Sequence, residues 1–216
     1  MAILEPHTRA PEPLVLTVPG LSNSGPTHWQ SVWERERRDC LRVELGMWEN
    51  PHRNTWVNQL NLAIERADRP VVLVAHSLGC LAVAWWARYE QPRSADTVIG
   101  ALLVAPCEVE GPEIDPRLTK FAPLPEDPLP FPSILVASRN DPYMAYSRAV
   151  ALARNWGSWL VDAGRSGHIN ADSDLGDWRF GQVTLSRLLS GALVQDDRES
   201  PTATHSQPVA TLPAQR

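Results

Sequence analysis

Short runs of apolar residues recur along the chain, and each has the length of a buried β-strand. The clearest run covers residues 71–75, where no polar residue interrupts the sequence, as expected when both faces of a parallel sheet are covered. The pattern predicts six strands, at residues 14–18, 41–45, 71–75, 98–104, 134–137 and 159–161, of which the second has the weakest pattern.

Between these runs lie segments that are predicted to be helical, most of them with apolar residues at every third or fourth position. They cover residues 28–38, 55–67, 78–89, about 143–155 and 182–193. Because strands and helices alternate, the sequence predicts a doubly wound α/β fold with a mostly parallel sheet and helices on both faces. Folds of this class bind their ligands at the carboxyl ends of the strands.

The length of 216 residues corresponds to one domain with tails. We expect the domain at residues 14–194, after a flexible N-terminal segment at 1–13. Residues 195–216 contain many Pro, Ser, Thr and Gln and no aromatic residue, so we expect a disordered tail there. Residues 108–132 are rich in proline and show little periodicity, which predicts either a long loop or a small cap over the sheet edge.

Charge and composition disfavour several classes of protein. The formal net charge is −5, and the chain has no run of basic residues, so no nucleic-acid partner is expected. The apolar runs are far shorter than the roughly 18 residues that span a bilayer, and the N-terminal residues lack the apolar core of a signal peptide, so we expect a cytoplasmic protein that does not bind membranes. Three cysteines without a C-x-x-C spacing suggest neither a disulfide framework nor a zinc site.

A serine follows the clearest strand and opens a predicted helix, in the sequence Ala75-His76-Ser77-Leu78-Gly79. This context matches a nucleophile elbow of the form G-x-S-x-G, with the small residue alanine at the first glycine position. The alternative is an ordinary strand-to-helix turn in which Ser77 caps the helix.

A serine is a weak nucleophile without a base, so the elbow predicts a carboxylate and a histidine at later strand ends. Asp141 follows the predicted strand at 134–137, and His168 follows the last strand in a loop of small residues. Taken singly, Asp141 could be a turn residue before Pro142 and His168 a surface residue. Since the three strand ends carry Ser, Asp and His in the expected order, the sequence predicts a catalytic triad of Ser77, Asp141 and His168.

Two backbone N–H groups are candidates for stabilising an oxyanion. One belongs to Leu21, in the turn after the first strand, and the other to Leu78, at the start of the helix that follows the serine. The same turn has the G-x4-G spacing of a phosphate-binding loop over residues 20–25, but Pro26 stands where that motif requires a lysine. Nucleotide hydrolysis is therefore disfavoured.

Aromatic residues near the first turn and near the C-terminal end of the domain are candidates for a substrate pocket. His28 either lines a pocket or caps the first helix. The chain has nine tryptophans, more than its Phe and Tyr residues together, and indoles often line pockets. Trp29 and Trp178 are the candidate walls of an acyl pocket, with core packing as the alternative for each.

The chain resembles the serine hydrolases similar to retinoblastoma-binding protein 9 and bacterial YdeN, a compact branch of the α/β-hydrolases. The resemblance spans residues 14 to about 189 and is carried by Pro19-Gly20, His28-Trp29 and Trp33, the segment 74–80, Asn140-Asp141-Pro142, the segment 166–170, and Gly176-Asp177-Trp178. It implies a compact α/β-hydrolase fold with a six-stranded sheet, catalytic Ser77, Asp141 and His168, and hydrolysis of small esters or amides.

One property associated with that family is not expected here. The Leu-x-Cys-x-Glu signature for retinoblastoma binding is absent, since Ala105 and Val109 occupy the flanking positions around Cys107. No retinoblastoma-type partner is therefore predicted.

The sequence thus predicts a serine hydrolase that cleaves a small carboxylic ester or amide through an acyl-enzyme intermediate. Acyl transfer to water needs no metal ion or organic cofactor, so none is expected. Two alternatives remain open at this point: a binding or scaffold protein on a hydrolase fold, and an acyltransferase that uses the same triad with another acceptor.

Overall fold

The computed structural model of the chain describes residues 12–90 and 97–190. Six strands form one sheet, and they are β1 (Leu14–Val18), β2 (Cys40–Arg42), β3 (Val71–His76), β4 (Val98–Val104), β5 (Ser133–Ala137) and β6 (Trp159–Asp162). The strand order is β2-β1-β3-β4-β5-β6, and every pair of neighbours is parallel. The α/β fold and the six-stranded sheet are therefore confirmed, and the sheet is wholly parallel in the described residues.

Five α-helices cover the two faces of the sheet. They are α1 (Trp29–Glu36), α2 (Arg53–Glu65), α3 (Leu78–Glu90), α4 (Tyr146–Trp156) and α5 (Arg179–Ser190). Helices α1 and α5 pack on one face, and α2, α3 and α4 pack on the other, so the buried side chains form two clusters separated by the sheet. Successive strand residues alternate between the clusters; Val72 and Val74 belong to one, and Leu73 and Ala75 to the other.

Several predicted elements differ from the observed ones by up to three residues at an end; α5, predicted at 182–193, begins at Arg179. The strand predicted at residues 41–45 ends at Arg42, and the Val43 N–H after it donates a last hydrogen bond to the Thr17 carbonyl of β1. Val43 and Leu45 lie beyond the end of the strand and are buried. Their side chains are apolar because they pack in the core, although they are not strand residues. Helix α4 begins at Tyr146, after the turn in which the Tyr143 N–H donates to the Asp141 side chain.

The proline-rich segment is packed against the helices of one face. Phe121 is fully buried in a short 3₁₀ helix at Thr119–Phe121, and its carbonyl accepts a hydrogen bond of 2.8 Å from the Trp85 indole. The Trp156 indole donates to the Pro125 carbonyl in the same way. Between residues 108 and 132 the chain therefore contains one short 3₁₀ helix and packs against the helices through these contacts.

The predicted N-terminal segment and C-terminal tail lie almost entirely outside the described residues. No helix in the described ranges has the length and apolarity needed to cross a membrane.

Candidate active site

Ser77 occupies a strained turn between β3 and α3. Its backbone φ is +53°, a left-handed conformation that a residue with a side chain rarely adopts. The Ser77 N–H donates to the Val104 carbonyl at the end of β4, over 3.0 Å, and this bond fixes the turn to the neighbouring strand. The predicted elbow is thus present as a backbone geometry.

Two glycines allow the chain to pass close to this turn. A Cβ atom at Gly79 would lie 2.2 Å from the Val18 carbonyl oxygen, and one at Gly20 would lie 2.9 Å from the Ser77 Cβ. Both distances are too short for a real contact, so only glycine fits either position without a shift of backbone. Gly79 is therefore required by the packing of the elbow against the end of β1, and Gly20 by its close approach to Ser77.

The structure brings the three predicted triad residues together in one hydrogen-bonded chain. The Ser77 Oγ lies 2.9 Å from His168 Nε2, and His168 Nδ1 lies 2.9 Å from Asp141 Oδ2. A carboxylate can only accept, so Nδ1 carries the proton and the lone pair of Nε2 faces the serine hydroxyl. Side chains of His168 and Asp141 are almost completely buried.

The loops that carry Asp141 and His168 are joined by polar side chains that the sequence analysis did not single out. Asn140 Oδ1 accepts from the Gly167 N–H over 2.9 Å, and Ser138 Oγ accepts from the Ser166 N–H over 3.0 Å. Asp141 also accepts from the Tyr143 N–H, over 2.8 Å. The position of Ser138 and Asn140, directly after a predicted strand and beside the predicted acid, was the signal that could have identified them.

Other carboxylates near His168 in sequence have different partners. Asp162 binds the Arg139 guanidinium and accepts from the Gly164 N–H, and these contacts lower the pKa of its carboxyl. Asp172 and Asp174 are exposed. Of the described carboxylates, Asp141 is the one that bonds the His168 ring.

His76 holds the backbone of His168 in place. Its Nε2 lies 2.9 Å from the His168 carbonyl oxygen, to which it donates as a neutral imidazole. Burial, together with the neighbouring His28 and His168 rings, lowers the pKa of His76 well below its ordinary value and keeps the ring neutral. The His168 ring packs between His76 and Tyr143, with ring centroids 4.9 and 4.4 Å away.

The two predicted oxyanion donors lie at the same edge of the sheet as the serine. A Cβ built on Gly20 would be 3.3 Å from the Leu78 nitrogen, so the turn that carries Leu21 passes beside the start of α3. Neither the Leu21 nor the Leu78 N–H donates a hydrogen bond within the described residues. Both groups therefore remain available for an acceptor.

A cleft of about 330 Å³ opens above Ser77. Its lining includes Gly20, Leu21 and His28 from the segment after β1, together with His168 and Tyr143. The proline-rich segment contributes Arg117 and Leu118, which the sequence did not distinguish from their neighbours. A second cleft, of about 490 Å³, adjoins it at Tyr143 and His168.

His28 combines both roles that the sequence left open. It is the N-cap of α1, where its Nδ1 accepts from the Gln30 N–H over 3.2 Å, and it lines the cleft beside Ser77. Burial, with smaller effects from Arg42 and His168, lowers its pKa to about 4.

Trp29 and Trp178, the candidate pocket walls, do not line the cleft in the described structure. Their rings pack together in the core with centroids 4.7 Å apart, and both are buried. The Trp29 indole donates to the Ile169 carbonyl over 2.8 Å, which anchors the loop that carries His168. Core packing, the alternative for both residues, is the observed arrangement.

Buried thiols complete the surroundings of the site. Burial raises the pKa of Cys107 to about 12, so the thiol stays protonated. Across the described ranges, no group of three His, Cys, Asp or Glu side chains is arranged to hold a metal ion.

A serine on a strained strand-to-helix turn, with acid and base supplied by later strand ends of a parallel sheet, defines the α/β-hydrolase class. A family model described as serine hydrolase matches residues 15–187. The chain belongs to this serine hydrolase family, and it is a hydrolase.

Solved structures agree with this membership. A YdeN-like hydrolase from Pectobacterium atrosepticum is 35% identical and superposes with a TM-score of 0.72, covering 82% of this chain and 90% of its own. The ydeN gene product of B. subtilis, 20% identical, covers 83% of this chain and 100% of its own with a TM-score of 0.68. Est1E from Butyrivibrio proteoclasticus shares the fold at 15% identity, with a TM-score of 0.62 over 84% of this chain and 90% of its own. No curated protein matches the chain.

Proposed function

We propose that this hydrolase cleaves small carboxylic esters or amides through a Ser77-His168-Asp141 triad and an acyl-enzyme intermediate. The observation that carries the proposal is the continuous chain of hydrogen bonds from the Ser77 hydroxyl through His168 to Asp141, with each link at 2.9 Å. Three side chains from separate strand ends are hydrogen-bonded in the sequence serine, histidine, aspartate. Acyl transfer by a serine nucleophile requires this arrangement of bonds.

In the first half of the reaction, His168 Nε2 accepts the Ser77 proton as the hydroxyl attacks the substrate carbonyl. Asp141 holds the ring in the required tautomer and stabilises the imidazolium that forms. Negative charge develops on the carbonyl oxygen, and the free Leu21 and Leu78 N–H groups are the candidate donors to it. His168 then donates its proton to the leaving group as the bond to that group breaks.

In the second half, water replaces the leaving group beside His168. The imidazole takes a proton from the water, the water oxygen attacks the acyl carbon, and a second tetrahedral species forms at the same donors. Its collapse returns the proton to Ser77 and releases the carboxylic acid. Every proton transfer uses His168 Nε2. The reaction therefore requires no protein group outside the triad and the backbone donors.

The size of the cleft supports a small substrate. A volume of about 330 Å³ is near the lower end of the range of small-molecule sites, roughly 300–1,000 Å³. The proline-rich segment closes one side of the cleft with Leu118. Short acyl groups fit this space better than long alkyl chains do.

Substitution of Ser77 by alanine tests the proposal. We expect S77A to lose hydrolysis of p-nitrophenyl acetate and labelling by a fluorophosphonate probe, because no other hydroxyl in the described residues bonds His168 Nε2. Ser22→Ala is the matched control, since Ser22 also lines the cleft but bonds Glu49 instead. A folded S77A protein with wild-type turnover would contradict the proposal.

Addition of a small alcohol to the wild-type assay tests the acceptor. A hydrolase releases the free acid as its main product even in the presence of the alcohol. An acyltransferase would release mainly the new ester.

A further inference from the structure

A buried hydrogen-bond donor beside the cleft lacks a partner in the described part of the chain. It is Nε2 of His28, a residue that is only 4% exposed. Buried polar atoms are nearly always paired in folded proteins, so an unpaired one at a candidate active site calls for a functional explanation.

The other ring nitrogen fixes the chemistry of this atom. His28 Nδ1 accepts from the Gln30 N–H at the start of α1, and an accepting nitrogen carries no proton. Gln30 is itself held in place, since its side chain donates to the Val74 carbonyl over 2.9 Å. With the ring neutral, the proton must be on Nε2, so the unpaired atom is a donor.

The position of His28 indicates which half of the substrate it faces. His168 protonates the leaving group, so the leaving group lies on the His168 and Tyr143 side of the cleft. His28 lies in the segment after β1 that also carries the Leu21 N–H, the candidate donor to the acyl carbonyl oxygen. The acyl half of the substrate therefore lies on the side of His28.

We propose that the His28 Nε2–H is a specificity-determining donor to an acceptor atom in the acyl group of the substrate. We then expect the cleft to prefer acyl groups that carry an ether, hydroxyl or keto oxygen one carbon away from the carbonyl carbon. Pure hydrocarbon acyl groups of the same shape should fit less well. A hydrocarbon acyl group leaves the donor buried and unpaired, whereas an oxygen at that position satisfies it. This inference rests on the proposed ester or amide hydrolysis at Ser77.

Two isosteric esters test the preference. p-Nitrophenyl methoxyacetate and p-nitrophenyl butyrate differ by one ether oxygen in place of a methylene, and each enzymatic kcat/KM is divided by the rate constant for hydroxide to remove intrinsic reactivity. We expect the corrected ratio to favour methoxyacetate by about tenfold, the scale of one hydrogen bond to a buried donor. His28→Asn, which retains a capping oxygen for Gln30 N–H, should bring the ratio to near one.

His52→Asn is the matched control, because His52 is the exposed N-cap of α2 and does not line the cleft. The control should keep the wild-type ratio and both rates. Melting temperatures of both variants show whether a helix cap has been lost. A lost cap lowers kcat/KM for both esters alike, whereas a specificity effect changes the ratio between them. An unchanged ratio in folded His28→Asn, or an equal loss for the two esters, would overturn the inference.

A binding measurement separates this inference from the proposed reaction. Selectively ¹⁵N-histidine-labelled S77A protein is titrated with methoxyacetamide and with butyramide, and the side-chain nitrogen signals of His28 are followed by NMR. We expect methoxyacetamide to shift the Nε2 signal and butyramide to leave it in place. Equal responses to the two amides would overturn the His28 assignment even if ester hydrolysis is established, and a selective shift would support it even if no ester is cleaved.

Discussion

The Ser77 backbone holds its side chain at the carboxyl edge of the sheet at an energetic cost. A left-handed conformation for a residue with a Cβ costs about 1–3 kcal/mol. The bond from the Ser77 N–H to the Val104 carbonyl and the close packing of Gly20 against Ser77 hold the turn in this conformation. The strain therefore serves to expose the hydroxyl to His168 rather than to bury it as an ordinary helix cap.

Loss of the Asp141 charge tests the assignment of the acid. We expect Asp141→Asn to lower kcat by about 10⁴-fold near neutral pH, because an amide favours the wrong tautomer of His168 and cannot stabilise the imidazolium. The variant should fold, since the asparagine oxygen can still accept from the Tyr143 N–H. The measurement is kcat on one activated ester, with circular dichroism as the check on folding.

The three other candidate acids provide controls at the same scale. Asp162→Asn removes the charge that pairs with Arg139 while its side-chain oxygen can still accept from the Gly164 N–H, and Asp172→Asn and Asp174→Asn change exposed side chains. Each should cost far less turnover than Asp141→Asn. Near-normal turnover of folded Asp141→Asn beside an inactive variant at one of these sites would show that the acid was misassigned.

At the scale of elements, apolar runs identified all six strands because both faces of this sheet are covered. Five of the six matched closely, whereas the run at 41–45 includes Val43 and Leu45, which are buried beyond the end of β2. Hydrophobicity reports burial, and strand pairing depends on a neighbour that the sequence does not identify. The same limit applies to Trp178, whose apolar bulk was consistent with either a pocket wall or the core.

Gly79 shows how tertiary contact overrides local preference within α3. Alanine is a better helix former than glycine by about 1 kcal/mol, so propensity alone predicts that Gly79→Ala stabilises the protein. The added Cβ would lie 2.2 Å from the Val18 carbonyl oxygen, a backbone atom that cannot move aside cheaply. We expect a net loss of about 3 kcal/mol or more in the free energy of unfolding by urea.

Gly25→Ala is the control for that experiment. No atom lies within 4 Å of a Cβ built on Gly25, so the free energy of unfolding should change by less than about 1 kcal/mol. Equal stabilities of the two variants would mean that α3 is not packed on β1 as described.

At the scale of the whole molecule, the site consists of segments from four strand ends whose order along the chain was predictable. Ser77, Asp141 and His168 could be predicted because each follows an apolar run in the order that the fold requires. The parts that hold them in place could not, since the bonds from Trp29 to Ile169 and from His76 to His168 join residues about 140 and 92 positions apart. Such contacts depend on the completed packing of both helical layers.

Anchoring of the His168 loop is the property of the complete fold that is most open to test. Trp29→Phe keeps an aromatic ring in the core but removes the indole N–H that donates to the Ile169 carbonyl, next to His168. Trp33→Phe removes an equivalent bond to the Asp177 carbonyl, farther from His168 along the same loop. Trp29→Phe should lose about 1–2 kcal/mol of stability, since it leaves the buried Ile169 carbonyl without its donor. Trp33→Phe should lose about 1 kcal/mol or less, because the Asp177 carbonyl still accepts from the Gln182 side chain.

The two variants should differ in activity. A small displacement of His168 weakens proton transfer from Ser77, and misplacement by about 1 Å can cost 10²-fold in rate, so we expect Trp29→Phe to lower kcat by about ten- to a hundredfold. Trp33→Phe should lower kcat by less than about threefold, because Asp177 lies nine positions beyond His168. Thermal melting and kcat are measured on both proteins. Equal losses of kcat at equal stability would mean that the indole bond at Ile169 does not position the base, and that the Asp141 and His76 contacts suffice.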